Sequence, residues 1–165
     1  MAQVWLVTGS SRGLGRAIVE AGLAAGNKVL ATARNIESLS DLSARYGGQV
    51  KLFALDVTDE SAAASAVKTV IDAFGSLDVV INNAGYGNIS SVEDTPMSDF
   101  RAQIETNLFG TIIVTKAALP YFRERKAGHF IQFSSVGGRI GPPGRGLILL
   151  RNGVSKASPK CCRAK

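Results

Sequence analysis

Val4-Trp5-Leu6-Val7-Thr8-Gly9-Ser10-Ser11-Arg12-Gly13-Leu14-Gly15 is the stretch that decides the fold. Four apolar residues in a row read as a strand buried on both faces. Three glycines then make a tight turn, after which Leu14, Ile18, Val19 and Leu23 recur at helical spacing. A strand, a glycine turn and a helix start in that order let the backbone approach a pyrophosphate and aim free helix N–H groups at it. The stretch predicts a dinucleotide site.

The rest of the chain repeats the alternation. Lys28–Ala33, Val50–Leu55, Leu77–Ile81 and His129–Phe133 read as further strands. Between them, Ile36–Tyr46 reads as a helix closed by Gly47-Gly48. A third helix is capped by Thr58 or Asp59 and runs to about Phe74. A long helix starts with Ser98 as its cap and ends near Arg125. Strands alternating with helices imply βαβ units, right-handed crossovers and a doubly wound parallel sheet, an α/β fold with ligands at the carboxyl ends of the strands. Beyond Ser135 the pattern breaks down: residues 137–146 read GGRIGPPGRG, and no sustained period follows. Residues 1–138 are therefore expected to form one dinucleotide-binding domain. Residues 139–165 are expected to be a loop and an unstructured basic tail.

Composition narrows the function classes. The length of 165 residues suits one domain with a real core, and 45% hydrophobic with 19% charged residues fits a globular protein. No apolar run is long enough to span a bilayer, and no signal peptide is read at the N-terminus. Cys161 and Cys162 are adjacent and form neither a disulfide framework nor a metal site, so a reducing, cytoplasmic location is expected. The net charge of +6 is uneven: residues 1–138 hold 12 Lys/Arg against 13 Asp/Glu, and residues 139–165 hold 7 Lys/Arg and no acid. A near-neutral body with a basic tail argues against a nucleic-acid partner, and the residues argue against a membrane one.

The spacing Thr8-Gly9-x-x-x-Gly13-x-Gly15 resembles the signature of the short-chain dehydrogenase/reductase family. Four further stretches carry the same resemblance: Asp56-Val57 after the third strand, Asn82-Asn83-Ala84-Gly85 after the fourth, Asn107 within Glu105-Thr106-Asn107-Leu108, and Ser135 within Phe133-Ser134-Ser135-Val136-Gly137. The similarity implies a Rossmann-type sheet, incomplete on its C-terminal side in this chain. It also implies hydride transfer between a nicotinamide cofactor and a carbonyl/alcohol pair on a small molecule. By the same resemblance, Asn107 and Ser135 are the catalytic positions. Thr8, Gly9, Ser11, Arg12, Gly13, Leu14, Gly15, Asp56, Val57, Asn82, Ala84 and Gly85 are the cofactor-binding ones. No metal ligands are implied.

Cofactor choice turns on charge. An acid after the second strand commonly holds the ribose 2′-OH of NAD. Here Ala33-Arg34-Asn35 offers none, and Arg34, with Arg12 from the glycine turn, is suited to a 2′-phosphate. NADP is expected ahead of NAD.

One part of the family's machinery is missing. The family places a Tyr-x-x-x-Lys pair shortly after the catalytic Ser. Its Tyr exchanges the proton with the carbonyl oxygen, and its Lys lowers the Tyr pKa. This chain has only Tyr46, Tyr86 and Tyr121, all before Ser135. The expected positions, counted from Ser135, hold Ile148 and Asn152; a shifted alignment brings Lys156 onto the Lys but leaves Asn152 for the Tyr. Loss of a base near Gly144–Gly146 accounts for this. One frame over, Leu147/Ile148 permits Tyr, Leu149/Leu150 and Leu150/Arg151 permit Ala, and Arg151/Asn152 permits Lys. We therefore read the chain as a C-terminally truncated or frameshifted member whose fifth strand is left as a sheet edge. Two alternatives stand beside catalysis: a non-catalytic NADP(H)-binding module, and an interaction protein pairing with a second copy through the helix at 99–125.

Overall fold

The computed structural model of the chain describes residues 2–88 and 90–134. Five parallel strands form one sheet: β1 (Val4–Val7), β2 (Lys28–Ala33), β3 (Val50–Ala54), β4 (Val79–Asn82) and β5 (His129–Gln132). Their order is β3-β2-β1-β4-β5. The chain winds outward from β1 through β2 to β3, then returns to the other side of β1 with β4 and β5. Val7 is in register with Ala31 of β2 and with Ile81 of β4. The order of connection therefore reverses between β1 and β4, and the carboxyl ends on either side of that point part to leave a crevice.

Every strand is joined to the next by a helical crossover, and the helices cover both faces. α1 (Gly13–Ala24) and α2 (Ser40–Tyr46), with Leu39 just ahead of α2, pack on one face through Val19, Leu23, Leu39 and Leu42 against Val7, Val29, Ala31 and Ile81. α3 (Glu60–Phe74) and α5 (Gly110–Arg125) pack on the other through Ala66, Val70, Val114 and Phe122 against Leu6, Leu30 and Val80. The strands read as unbroken apolar runs because both their faces are inside.

Element ends differ from the sequence expectation where local hydrogen bonding overrides period. Ile36–Leu39 is a 3₁₀ turn rather than the start of an α-helix, because the Asn35 side chain accepts from the Glu37 N–H and tightens it. β4 begins at Val79, two residues later than expected, because Asp78 turns its carboxylate back to the Val4 N–H at 2.8 Å. Of the two cap candidates for α3, Asp59 holds the place: its Oδ1 accepts from the N–H groups of Ser61 and Ala62. The long helix starts at Met97 behind Pro96, not behind Ser98, whose hydroxyl turns to Asp99 instead. It runs as α4 (Met97–Ile104), a π-helical turn (Glu105–Phe109) and α5.

Candidate functional site

At the carboxyl ends of β1 to β4 lies a cavity of about 400 Å³. Each strand contributes the residues that follow it. β1 gives Gly9, Ser11, Arg12, Gly13, Leu14 and Gly15, and β2 gives Ala33 and Arg34. Leu55, Asp56 and Val57 follow β3, Asn83, Ala84, Gly85 and Tyr86 follow β4, and Thr106 comes from the π turn.

The glycine turn is built to keep side chains out. Gly9 has φ +70°, and a Cβ there would stand 2.8 Å from the Ala84 Cα. A Cβ on Gly15 would collide with the Gly9 carbonyl oxygen and with Asn83 Nδ2. Only hydrogen fits at these two positions, which leaves backbone as the floor of the cavity. α1 then opens without a cap: Arg12 is extended, no side chain bonds the first turn, and that turn holds no acid. Its first N–H groups are unsatisfied donors at the positive end of the helix dipole, a ready site for a phosphate.

The turn is held from behind. Thr8 is 1% exposed; its Oγ1 accepts from the N–H groups of Asn83 and Ala84 at 3.1 and 3.0 Å. Asn83 Nδ2 donates to the carbonyls of Thr8 and Gly9, both at 3.1 Å. Ser10, fully buried, donates to the Val7 carbonyl at 2.9 Å. Thr8 thus stands behind the cavity wall and not in it. Asn82 likewise points away, its Nδ2 donating to Thr115 Oγ1 at 3.1 Å on the α5 side of the sheet. The cavity-lining asparagine is Asn83, the neighbour of the residue singled out by motif. Alternation along β4 is the signal: Asn82 ends the strand facing inward, and Asn83 begins the turn.

Charge at the rim is positive on one side. Arg12 and Arg34 line the cavity, and among the described residues neither guanidinium has a carboxylate partner. Asp56 is exposed, and its Oδ1 accepts from the Thr58 N–H at 3.0 Å and the Thr58 hydroxyl at 2.8 Å, which fixes the turn after β3. Just outside the cavity, Arg16 pairs with Asp41 and with Glu20, and Glu20 pairs with Arg45. The Arg16 hydrogen bond holds the Asp41 carboxyl below its ordinary range, and Arg16 with Arg45 does the same for Glu20.

Asn107 is 3% exposed and sits in the π turn. Its Oδ1 accepts from the Tyr86 N–H at 2.9 Å and its Nδ2 donates to the Tyr86 carbonyl at 2.6 Å. Thr106, its neighbour, lines the cavity. Ser135, Ile148, Asn152 and Lys156 lie outside the described residues, as does the whole of 139–165. Tyr86 and Thr106 were not among the site residues expected from sequence; both reach the cavity through tertiary packing of the π turn on the loop after β4.

These residues fit a dinucleotide: a side-chain-free floor, an uncapped helix start, and two guanidinium groups at the rim with no carboxylate partner among the described residues. Comparisons with known proteins agree. The family model for short chain dehydrogenase matches residues 3–147. An oxidoreductase of Botryotinia fuckeliana (strain B05.10), BOA17, is 53% identical over 145 residues, 87% of this chain and 53% of that protein. The mouse dehydrogenase/reductase SDR family member 7B is 35% identical over 98% of this chain and 52% of its own length. A crystal structure of a short-chain dehydrogenase from Streptomyces avermitilis superposes with a TM-score of 0.89 at 38% identity, covering 95% of this chain and 58% of that one. ElxO, solved with NADP bound, superposes at 0.88 with 28% identity, covering 95% and 65%. The chain spans about half the length of the curated relatives it matches. By sequence, by sheet order and by the turn that floors its cavity, the chain belongs to the short chain dehydrogenase family.

Proposed function

We propose that the cavity binds NADP(H) in preference to NAD(H), and that the chain is the cofactor-binding part of an oxidoreductase acting on a carbonyl/alcohol pair. The observation that carries this is the cavity itself, with Gly9 and Gly15 closed to side chains and Arg12 and Arg34 both on its rim without a carboxylate partner among the described residues. The first N–H groups of α1 take the pyrophosphate. Arg34, with Arg12, pairs with the 2′-phosphate. Asp56 and Val57 flank the adenine end, while Asn83, Ala84 and Gly85 line the opposite wall. When bound, the nicotinamide supplies or accepts the hydride.

For turnover the protein must also hold and move a proton at the substrate oxygen. Asn107 orders the loop at Tyr86, and Ser135 is the position for a donor to the developing oxyanion. Ile148 and Asn152, at the Tyr and Lys positions, supply no proton, and loss of a general acid costs about 10²–10⁴-fold in rate. As it stands the chain is therefore a cofactor binder with little or no turnover. That same gap favours the second reading, a non-catalytic NADP(H)-binding module. Exposed Met97, Phe109 and Ile112 along the α4–α5 rod support pairing with a second copy. No nucleic-acid or membrane partner is proposed, and a cytoplasmic location follows from the cysteine usage.

The test is to restore the frame past Gly146 and compare NADPH-dependent reduction of a panel of aldehydes and ketones by the two chains. We expect the restored chain to turn over and the chain as it stands to be at least about 100-fold slower. Equal rates, or an inactive restored chain that still binds NADPH, would overturn the enzymatic part.

A further inference from the structure

The face that α4 and α5 turn inward is apolar at Phe100, Val114, Ala118 and Phe122, yet it carries two amides one turn apart, Gln103 and Asn107. Gln103 is 1% exposed. Its Oε1 accepts from the Asn88 N–H at 3.1 Å, while Asn107 holds both the N–H and the carbonyl of Tyr86. Two buried amides thus grip the same three-residue segment, 86–88, and that segment continues the cavity wall formed by Gly85 and Tyr86.

Gln103 is a costly way to fill its space. Its Nε2 is buried with no hydrogen-bond partner among the described residues, and an unpaired buried donor forfeits its hydration. A Met or Leu would occupy a similar volume without that loss. The Asn88 N–H that Gln103 accepts belongs to an exposed loop residue, so the bond ties a buried helix position to a surface loop. Stability alone does not explain the residue; a fixed position for the loop does.

We propose that Gln103 is a positioning residue. With Asn107 it clamps residues 86–88 and so sets the cavity wall at Tyr86. The clamp stands on geometry alone, and its consequence for NADPH affinity rests on the function proposed above.

Amide hydrogen exchange, melting and NADPH titration on three chains test it: the unchanged chain, Gln103→Met, which removes the acceptor, and Gln103→Glu, which keeps it. In Gln103→Met, the Asn88 and Tyr86 amides exchange at least about ten-fold faster while Val80 and Ile81 in β4 are unchanged. NADPH binding weakens about five-fold or more, and the melting temperature holds or rises. Gln103→Glu, assayed near pH 5 where burial favours the protonated carboxyl, recovers loop protection and NADPH affinity but melts lower than Gln103→Met. Affinity and stability then move in opposite directions across the pair, which a packing role does not produce. Unchanged exchange at Asn88 in Gln103→Met, or affinity that simply follows melting temperature in both variants, would overturn the clamp. If the unchanged chain binds no NADPH, the cofactor assignment fails, and the exchange data alone decide the clamp.

Discussion

Gly15 and Gly13 look alike in sequence and differ in what surrounds them. A Cβ at Gly15 meets the Gly9 carbonyl oxygen and Asn83 Nδ2, whereas a Cβ at Gly13 meets nothing within 4 Å, though φ there is +58°. Gly15→Ala must therefore push the turn off Asn83, at an overpacking cost of about 1–3 kcal/mol. Gly13→Ala carries only the backbone strain of a left-handed residue, about 1 kcal/mol. Urea denaturation ranks the two, and NADPH affinity should fall further in Gly15→Ala because the cavity floor itself moves. The three glycines, Arg12, Arg34 and Asp56, singled out in the sequence, all line the cavity, because a turn's chemistry is local. Thr8 and Asn82 were legible as members of their motifs but not as buried. The spacing of a motif does not tell which residues form a wall and which brace it from behind; strand alternation and the Thr8–Asn83 bonds do.

At the scale of elements, the buried parallel strands were readable within a residue or two, since each is a short apolar run between turn residues. The π turn was not. Five residues wound one position wider leave the apolar period of a helix almost unchanged, and only packing shows that the widening delivers Asn107 to Tyr86 and Thr106 to the cavity. Gln103 was hidden for the same reason, being one polar residue on a helix whose partner loop is 15 positions away. Helix caps are readable and testable. Asp59 caps α3, and bonds from the Ala62 N–H and from Ser61 hold its carboxyl below the ordinary range. A carboxyl whose folded pKa is depressed stabilises the fold above its unfolded pKa, and that contribution is lost as pH falls through the folded value. Stability should therefore drop between about pH 4 and the depressed Asp59 value. Asp59→Asn keeps the cap and flattens that drop, while Asp59→Ala loses the cap and melts lower by about 3 °C at neutral pH. Thermal melts of the three chains from pH 7 to pH 3 check both statements.

For the molecule as a whole, the order β3-β2-β1-β4-β5 opens the crevice between β1 and β4, and the proposed cofactor site sits at that opening. The two faces of the sheet do different work. The α1–α2 layer carries the glycine turn and, through the Arg16–Asp41 pair, ties the helix after Arg12 to the helix after Arg34. The α3–α5 layer carries Gln103, Asn107 and the loop at Tyr86. Among the described residues the sheet ends at β5, where Ile131 is 45% exposed beside the buried Ile81 of its neighbour. The central functional claim is that the two rim arginines make this cavity an NADP(H) site. Equilibrium titration of the chain and of Arg34→Asp with NADPH and with NADH tests it most directly. We expect NADPH to bind the unchanged chain at least about ten-fold more tightly than NADH, and Arg34→Asp to erase that preference while leaving NADH affinity within about two-fold. Equal losses for both cofactors in Arg34→Asp, or no preference in the unchanged chain, would contradict it.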